Sequence, residues 1–85
     1  METGELREIG KRAAEIWAEV LGMGPGQEKA TFFELSGQSI AAVRIAGRVQ
    51  EELGVWIDVG AFFDDPDMET FADGVVAAAR AEAEA

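Results

Sequence analysis

Among its 85 residues the chain has no cysteine, no histidine and no tyrosine. Without cysteine there is neither a disulfide nor a thiolate metal site, and the redox character of the compartment leaves no mark. With histidine and tyrosine missing too, the usual acid–base and nucleophile sets cannot be assembled, so no enzyme is expected. The two lysines, Lys11 on the polar side of a helical pattern and Lys29 in a loop, have no burial argument behind them. No apolar run is long enough to span a bilayer, and no charged-then-apolar signal segment is present. Basic residues are scarce, 7 against 17 acidic ones, and the resulting net charge of −10 repels nucleic acid and anionic membrane surfaces. Neither is expected as a partner; proteins with basic patches are. Internal repeats and linkers are absent, and only the Ala/Glu run from Ala77 to Ala85 is of low complexity.

What is present is the pattern of a small helical bundle. Hydrophobic residues make up 48% of the chain, which is the content of a globule rather than of a disordered tail. So short a chain forms one domain, residues 1–85, with little core to spend on an internal active site. The spacing predicts a first helix over about 4–21, with Leu6, Ile9, Ala13, Ile16, Trp17, Val20 and Leu21 on its inner side. Gly22, Gly24, Pro25 and Gly26 end it and open a long loop in which Phe32, Phe33 and Leu35 are expected to plug onto the bundle. A second helix runs from Ser39 to Leu53, with Gly54 as its stop. Val55-Trp56-Ile57 reads as an extended connector burying Trp56 or Ile57, and residues 58–63 as one or two short helical turns with Phe62 and Phe63 as core plugs. Asp67 is the expected N-cap of a last helix from Met68 to about Arg80, its inner stripe Met68, Phe71, Val75 and Ala78 or Ala79. The fold class is therefore all-α, three main helices and one short one with a long loop after the first. The acids Asp64, Asp65, Asp67 and Glu69 miss calcium-loop spacing: counted from Asp65, the turn-glycine place holds Thr70 and the twelfth place Val76. Capping and solvation account for them, and no metal is expected.

On the second helix, Ala42, Ala46, Val49 and Leu53 share a narrow arc, flanked by Ile45 and more distantly by Val43. Ile40, Arg44, Gly47, Arg48 and Glu51 lie opposite. Ile40 is thus an apolar residue on the polar side, one place after a serine at the loop–helix junction. It either folds back over Phe33 or Leu35 as a lid or forms, with Ala41, Arg44 and Arg48, a docking face beside Ser39; the two are compatible. From Leu35 to Gln50 there are two arginines and no acid in a chain otherwise rich in acid. Arg44 and Arg48 are helix neighbours whose mutual repulsion costs a few tenths of a kcal/mol. They reach acids of the first helix, simply solvate, or dock a partner.

Only two serines occur, Ser36 and Ser39. By position alone, Ser39 could simply cap its helix through its hydroxyl. Its surroundings point further. Ser36-Gly37-Gln38-Ser39-Ile40 is similar to the carrier-protein motif Gly-Gly-(His or Asp)-Ser-(Leu or Ile), with Ser36 in place of the first glycine and Gln38 in place of the acidic or imidazole residue. The Phe32-Phe33-Glu34-Leu35 lead-in, Leu53-Gly54 at the right distance, and Phe62-Phe63 before Asp65-Pro66 keep it company. Together with Ile16-Trp17-Ala18-Glu19-Val20-Leu21-Gly22 and a basic second helix, where fatty-acid carriers are acidic, the chain resembles the peptidyl (thiolation) branch of the carrier-protein family from about Glu15 to Val76.

The resemblance implies a function. Ser39, flanked by Gly37 and Gln38, would receive 4'-phosphopantetheine from coenzyme A through a magnesium-dependent phosphopantetheinyl transferase. The arm's thiol would then hold an aminoacyl or acyl group as a thioester. Partners would be that transferase, an adenylation enzyme, and condensation or tailoring enzymes of nonribosomal peptide or related natural-product synthesis, met by a cytoplasmic monomer. Because the sequence starts at Met1 without a flanking domain, a free-standing carrier is expected. The alternatives are an acyl carrier of polyketide or fatty-acid type and a helical adaptor that uses the Ile40 face with no prosthetic group.

Overall fold

The computed structural model describes residues 3–84. Helix α1 spans Thr3–Leu21, α2 Ser39–Leu53, the 3₁₀ helix η1 Val59–Asp64, and α3 Met68–Glu84, which matches the expected all-α architecture. The final helix outruns its expected end at Arg80 because the Ala/Glu run that follows is strongly helix-favouring. Met1, Glu2 and Ala85, part of the single-domain span expected from sequence, lie outside the described residues.

Helix α1 is the axis of the bundle: it packs along both α2 and α3, whose backbones do not approach each other, while η1 leans on α2. Its inner stripe is buried at Leu6, Ala13, Ile16 and Trp17, with Ile9, Val20 and Leu21 packed at the margin. On α2 the buried residues are Ala42, Ile45 and Val49, so Ile45 belongs to the centre of the arc and Leu53 and Ala46 to its edge. Val43, expected at the core's flank, is 58% exposed. The helix stops as expected, with Gly54 in the left-handed region and its N–H donating to the Gln50 carbonyl.

One aromatic each from α1, the long loop, η1 and α3 meets at the centre. The Trp17 ring lies 5.9 Å from Phe32, 6.4 Å and nearly parallel to Phe62, and 5.2 Å from Phe71. Closing a connection the length of Gly22 to Gln38 costs about 2–3 kcal/mol, and burying one large apolar side chain contributes about 1.5–3 kcal/mol. Phe32 and Leu35, both buried, offset that closure cost and anchor the loop to the bundle. Two sequence expectations fail here: Phe33 and Phe63 are exposed. In the connector Ile57 packs partly against the core, one of the two residues expected to do so, beside a buried Val55, while Trp56 stands in solvent. Neighbouring residues in a turn point to different sides, so only one member of each Phe-Phe pair enters the core, and in both pairs it is the first. Asp67 caps α3 as expected, its Oδ1 accepting from the Thr70 N–H at 2.8 Å, and Asp58 caps η1 through the Gly60 N–H at 2.9 Å.

Candidate functional site

The segment before Ser39 is a single helical turn with its own stop. Thr31 and Glu34 cap it reciprocally: the Thr31 N–H donates to Glu34 Oε1 at 2.8 Å and the Glu34 N–H to Thr31 Oγ1 at 3.3 Å. The Leu35 N–H closes the turn on the Thr31 carbonyl at 3.0 Å. The Ser36 N–H then donates to the Phe33 carbonyl and the Gly37 N–H to the Phe32 carbonyl, with Ser36 at φ 62°. That pair of bonds around one left-handed residue is the Schellman ending of a helix, whose left-handed place ordinarily belongs to glycine. Here Ser36 fills it. Gly37 is glycine for another reason: a Cβ there would stand 2.6 Å from the Phe32 ring and from its carbonyl oxygen.

The turn is fastened to the junction of η1 and α3. The Phe32 N–H donates to the Pro66 carbonyl at 2.8 Å, the Phe33 N–H to Asp65 Oδ1 at 2.8 Å, and Thr31 bridges Asp67 in antiparallel fashion. Asp65 and Asp67 thus tie loops and helix ends together, and among the described residues no cluster of three or more potential ligands could hold a metal ion.

Ser39 is the first residue of α2 and is exposed. The cap is Gln38, extended at φ −130°, ψ 169°, and it makes no side-chain capping bond; Ser39 does not cap, contrary to one reading of the sequence. The first intrahelical bond runs from the Ala42 N–H to the Gln38 carbonyl, so the N–H groups of Ser39, Ile40 and Ala41 have no intrahelical acceptor. No acidic residue sits in that first turn. Exposed hydroxyl, free N–H groups and the positive end of the helix dipole together suit a phosphodiester on Ser39.

The expected docking residues are placed unequally. Ile40 is 63% exposed and Arg44 is exposed on the same side, joined by Val43, which the helical wheel assigns toward the core. Ala41 is turned partly inward against the core. Arg48 reaches Glu19 of α1 at 3.0 Å and Glu52 at 2.9 Å. Arg12 of α1 joins the same cluster, its Nε donating to Glu52 Oε1 at 2.8 Å. Arg48 therefore takes the course of reaching the first helix's acids, while Arg44 does not.

The phosphopantetheine attachment site family matches residues 11–75. The chain belongs to that family. Its members carry covalently attached 4'-phosphopantetheine, and the peptidyl-carrier resemblance read from the sequence stands. The chain is 39% identical over 77 residues to phosphinothricin tripeptide synthetase PhsC and 40% identical over 68 residues to phosphinothricin tripeptide synthetase PhsB, both of Streptomyces viridochromogenes. It is 35% identical over 72 residues to a linear gramicidin synthase of Brevibacillus parabrevis. These matches cover 91%, 80% and 85% of the chain but only 7%, 6% and 1% of those relatives. No solved structure matches it. Among the described residues no helix is long and apolar enough to cross a membrane.

Proposed function

We propose that this chain, as one carrier domain, holds an aminoacyl or acyl group as a thioester on 4'-phosphopantetheine attached to Ser39 and carries it between the enzymes of nonribosomal peptide or related synthesis. The observation that carries the reading is an exposed serine at an uncapped helix N-terminus, presented by a turn clamped to the bundle. When attached, the arm supplies the thiol, and its length raises the cargo's effective concentration at whichever enzyme is docked. The protein's own residues do the rest. Gly37 lets the turn close on Phe32, Gln38 brings the extended chain into α2, and the free N–H groups of the first turn stabilise the phosphodiester charge.

No step of catalysis falls to the chain on this reading. It serves as substrate of a phosphopantetheinyl transferase, which brings its own magnesium, and as partner of adenylation and condensation or tailoring enzymes. Ile40, Ala41 and Arg44, with Arg48 steadying the helix they ride on, form the face those enzymes meet, and Val43 extends it. Docking there is weak and quickly reversible, as a shuttle requires. The cytoplasm, where coenzyme A is drawn on, is the compartment this reading expects, and a monomer the working form.

Mass spectrometry after co-expression with a promiscuous phosphopantetheinyl transferase tests the proposal. One phosphopantetheine should be added to the wild type and to Ser36→Ala, and none to Ser39→Ala. A wild type left unmodified would favour the adaptor that uses the Ile40 face alone.

A further inference from the structure

The connector between α2 and α3 leaves a groove that the chemistry at Ser39 does not use. Ile57, Phe71 and Val75 form its floor, and its volume is about 560 Å³, enough for several side chains of another molecule. Trp56 stands at its edge with 65% of its surface exposed, its backbone N–H donating to Glu82 Oε1 of α3 at 3.2 Å. A large aromatic in solvent beside an apolar trough marks a contact surface rather than a core. Among the described residues, none of α1 or α2 lines it, so an occupant leaves the Ser39 helix uncovered.

Two features indicate what fits. The ionisable side chains on the walls are Asp58, Asp64 and Glu82, all acidic. Gly74 also lines the trough in the middle of α3, where glycine weakens a helix, yet nothing lies within 4 Å of where its Cβ would stand. Packing does not exclude a side chain there, and its absence leaves the trough open. We propose that this groove docks an apolar segment flanked by lysine or arginine on a partner protein. A second copy of the chain is a poor occupant, because −10 would meet −10. The part of α2 beside Ser39 is of opposite sign, with Arg44 exposed and no acid from Leu35 to Gln50. The molecule therefore presents two surfaces for partners of different charge, and a protein seated in the groove stays in place while α2 meets others. This inference goes beyond the carrier reading and holds whether or not Ser39 is modified.

Trp56 supplies the measurement, since Trp17 is fully buried and a Trp56→Phe variant gives the blank. The probes are a short helical peptide of leucine and lysine and its leucine–glutamate counterpart, titrated into the whole chain. The lysine peptide should shift the Trp56 emission to the blue and saturate; the glutamate peptide should do neither. Gly74→Leu, which fills the trough, should weaken binding about tenfold or more, the loss typical of a blocked anchor pocket. The pair Asp64→Asn with Glu82→Gln should weaken it too and flatten its salt dependence, while Arg44→Glu leaves it unchanged. The charge pair spares the core and decides the matter if Gly74→Leu melts early. Equal response to both peptides, binding untouched by groove filling and charge removal, or a dimer in sedimentation that Gly74→Leu dissolves would each overturn the proposal. Failure here with Ser39 still accepting its arm would leave the carrier reading standing.

Discussion

Residue 36 sits where the Schellman ending calls for a left-handed conformation, and the chain puts serine there at φ 62°. For a residue with a Cβ that region costs about 1–2 kcal/mol. Ser36→Gly should therefore raise stability by about 1 kcal/mol, read as a higher denaturant midpoint with an unchanged slope. An unchanged midpoint would mean that the serine side chain recovers the cost locally. One place on, the constraint is contact rather than torsion. Gly37→Ala drives a methyl into Phe32, the plug that holds the loop, and should cost about 1–3 kcal/mol as overpacking does. Because Phe32 and Gly37 also set the start of α2, the transferase should modify Gly37→Ala more slowly than wild type even well below its melting point. Wild-type modification rates would dissociate the turn from the site.

At the scale of the element, α2 separates two tasks by face. Ala42, Ile45 and Val49 are fully buried, and Val49→Ala should destabilise the bundle by about 1–3 kcal/mol through lost contact and the cavity left behind. Arg44 is exposed, so Arg44→Glu should melt with wild type; on the proposed carrier reading it should be loaded more slowly by an adenylation enzyme, and the deficit should shrink as salt rises. Equal loading rates at low salt would remove Arg44 from the docking face. Arg48 is no substitute in this test, because it links α2 to Glu19 of α1 and its loss would mix stability with docking.

At the scale of the whole molecule, an exposed set of ion pairs, Arg12, Glu19, Arg48 and Glu52, links α1 to α2. Hydrogen bonding from Arg48 holds the Glu19 carboxyl below the usual glutamate range, and bonding from Arg12, then Arg48, does the same for Glu52. The Thr70 N–H lowers Asp67 likewise. Each carboxyl binds its proton more weakly folded than unfolded, so the stability it contributes is complete above the ordinary glutamate value of 4.5 and disappears as pH falls through the lowered folded values. The pairs are solvent-exposed and each is modest. Acidification also neutralises part of the −10 surplus, which acts in the opposite direction. Comparing wild type with Glu52→Gln isolates the network: the stability difference between them should narrow below about pH 4.5 and in about 1 M salt. A difference constant with pH would show that these ion pairs do not couple to folding.

Periodicity and punctuation are local, and they were legible in the residues alone. The helices, the stops at Gly22 and Gly54, the cap at Asp67 and the junction serine follow from backbone preferences that act within a few positions. The choice of Phe32 over Phe33 and of Phe62 over Phe63 does not, because the two rings of each pair offer the same apolar area, nor does the burial of Val55 in place of the larger Trp56. At the first pair, hydrogen bonds between distant segments, from the Phe32 and Phe33 N–H groups to Pro66 and Asp65, fix the turn against the junction of η1 and α3. Likewise the two arginines of α2 are alike in sequence. Only the placement of α1 beside that helix brings Glu19 within reach of one of them, because a salt bridge depends on distance in space rather than along the chain.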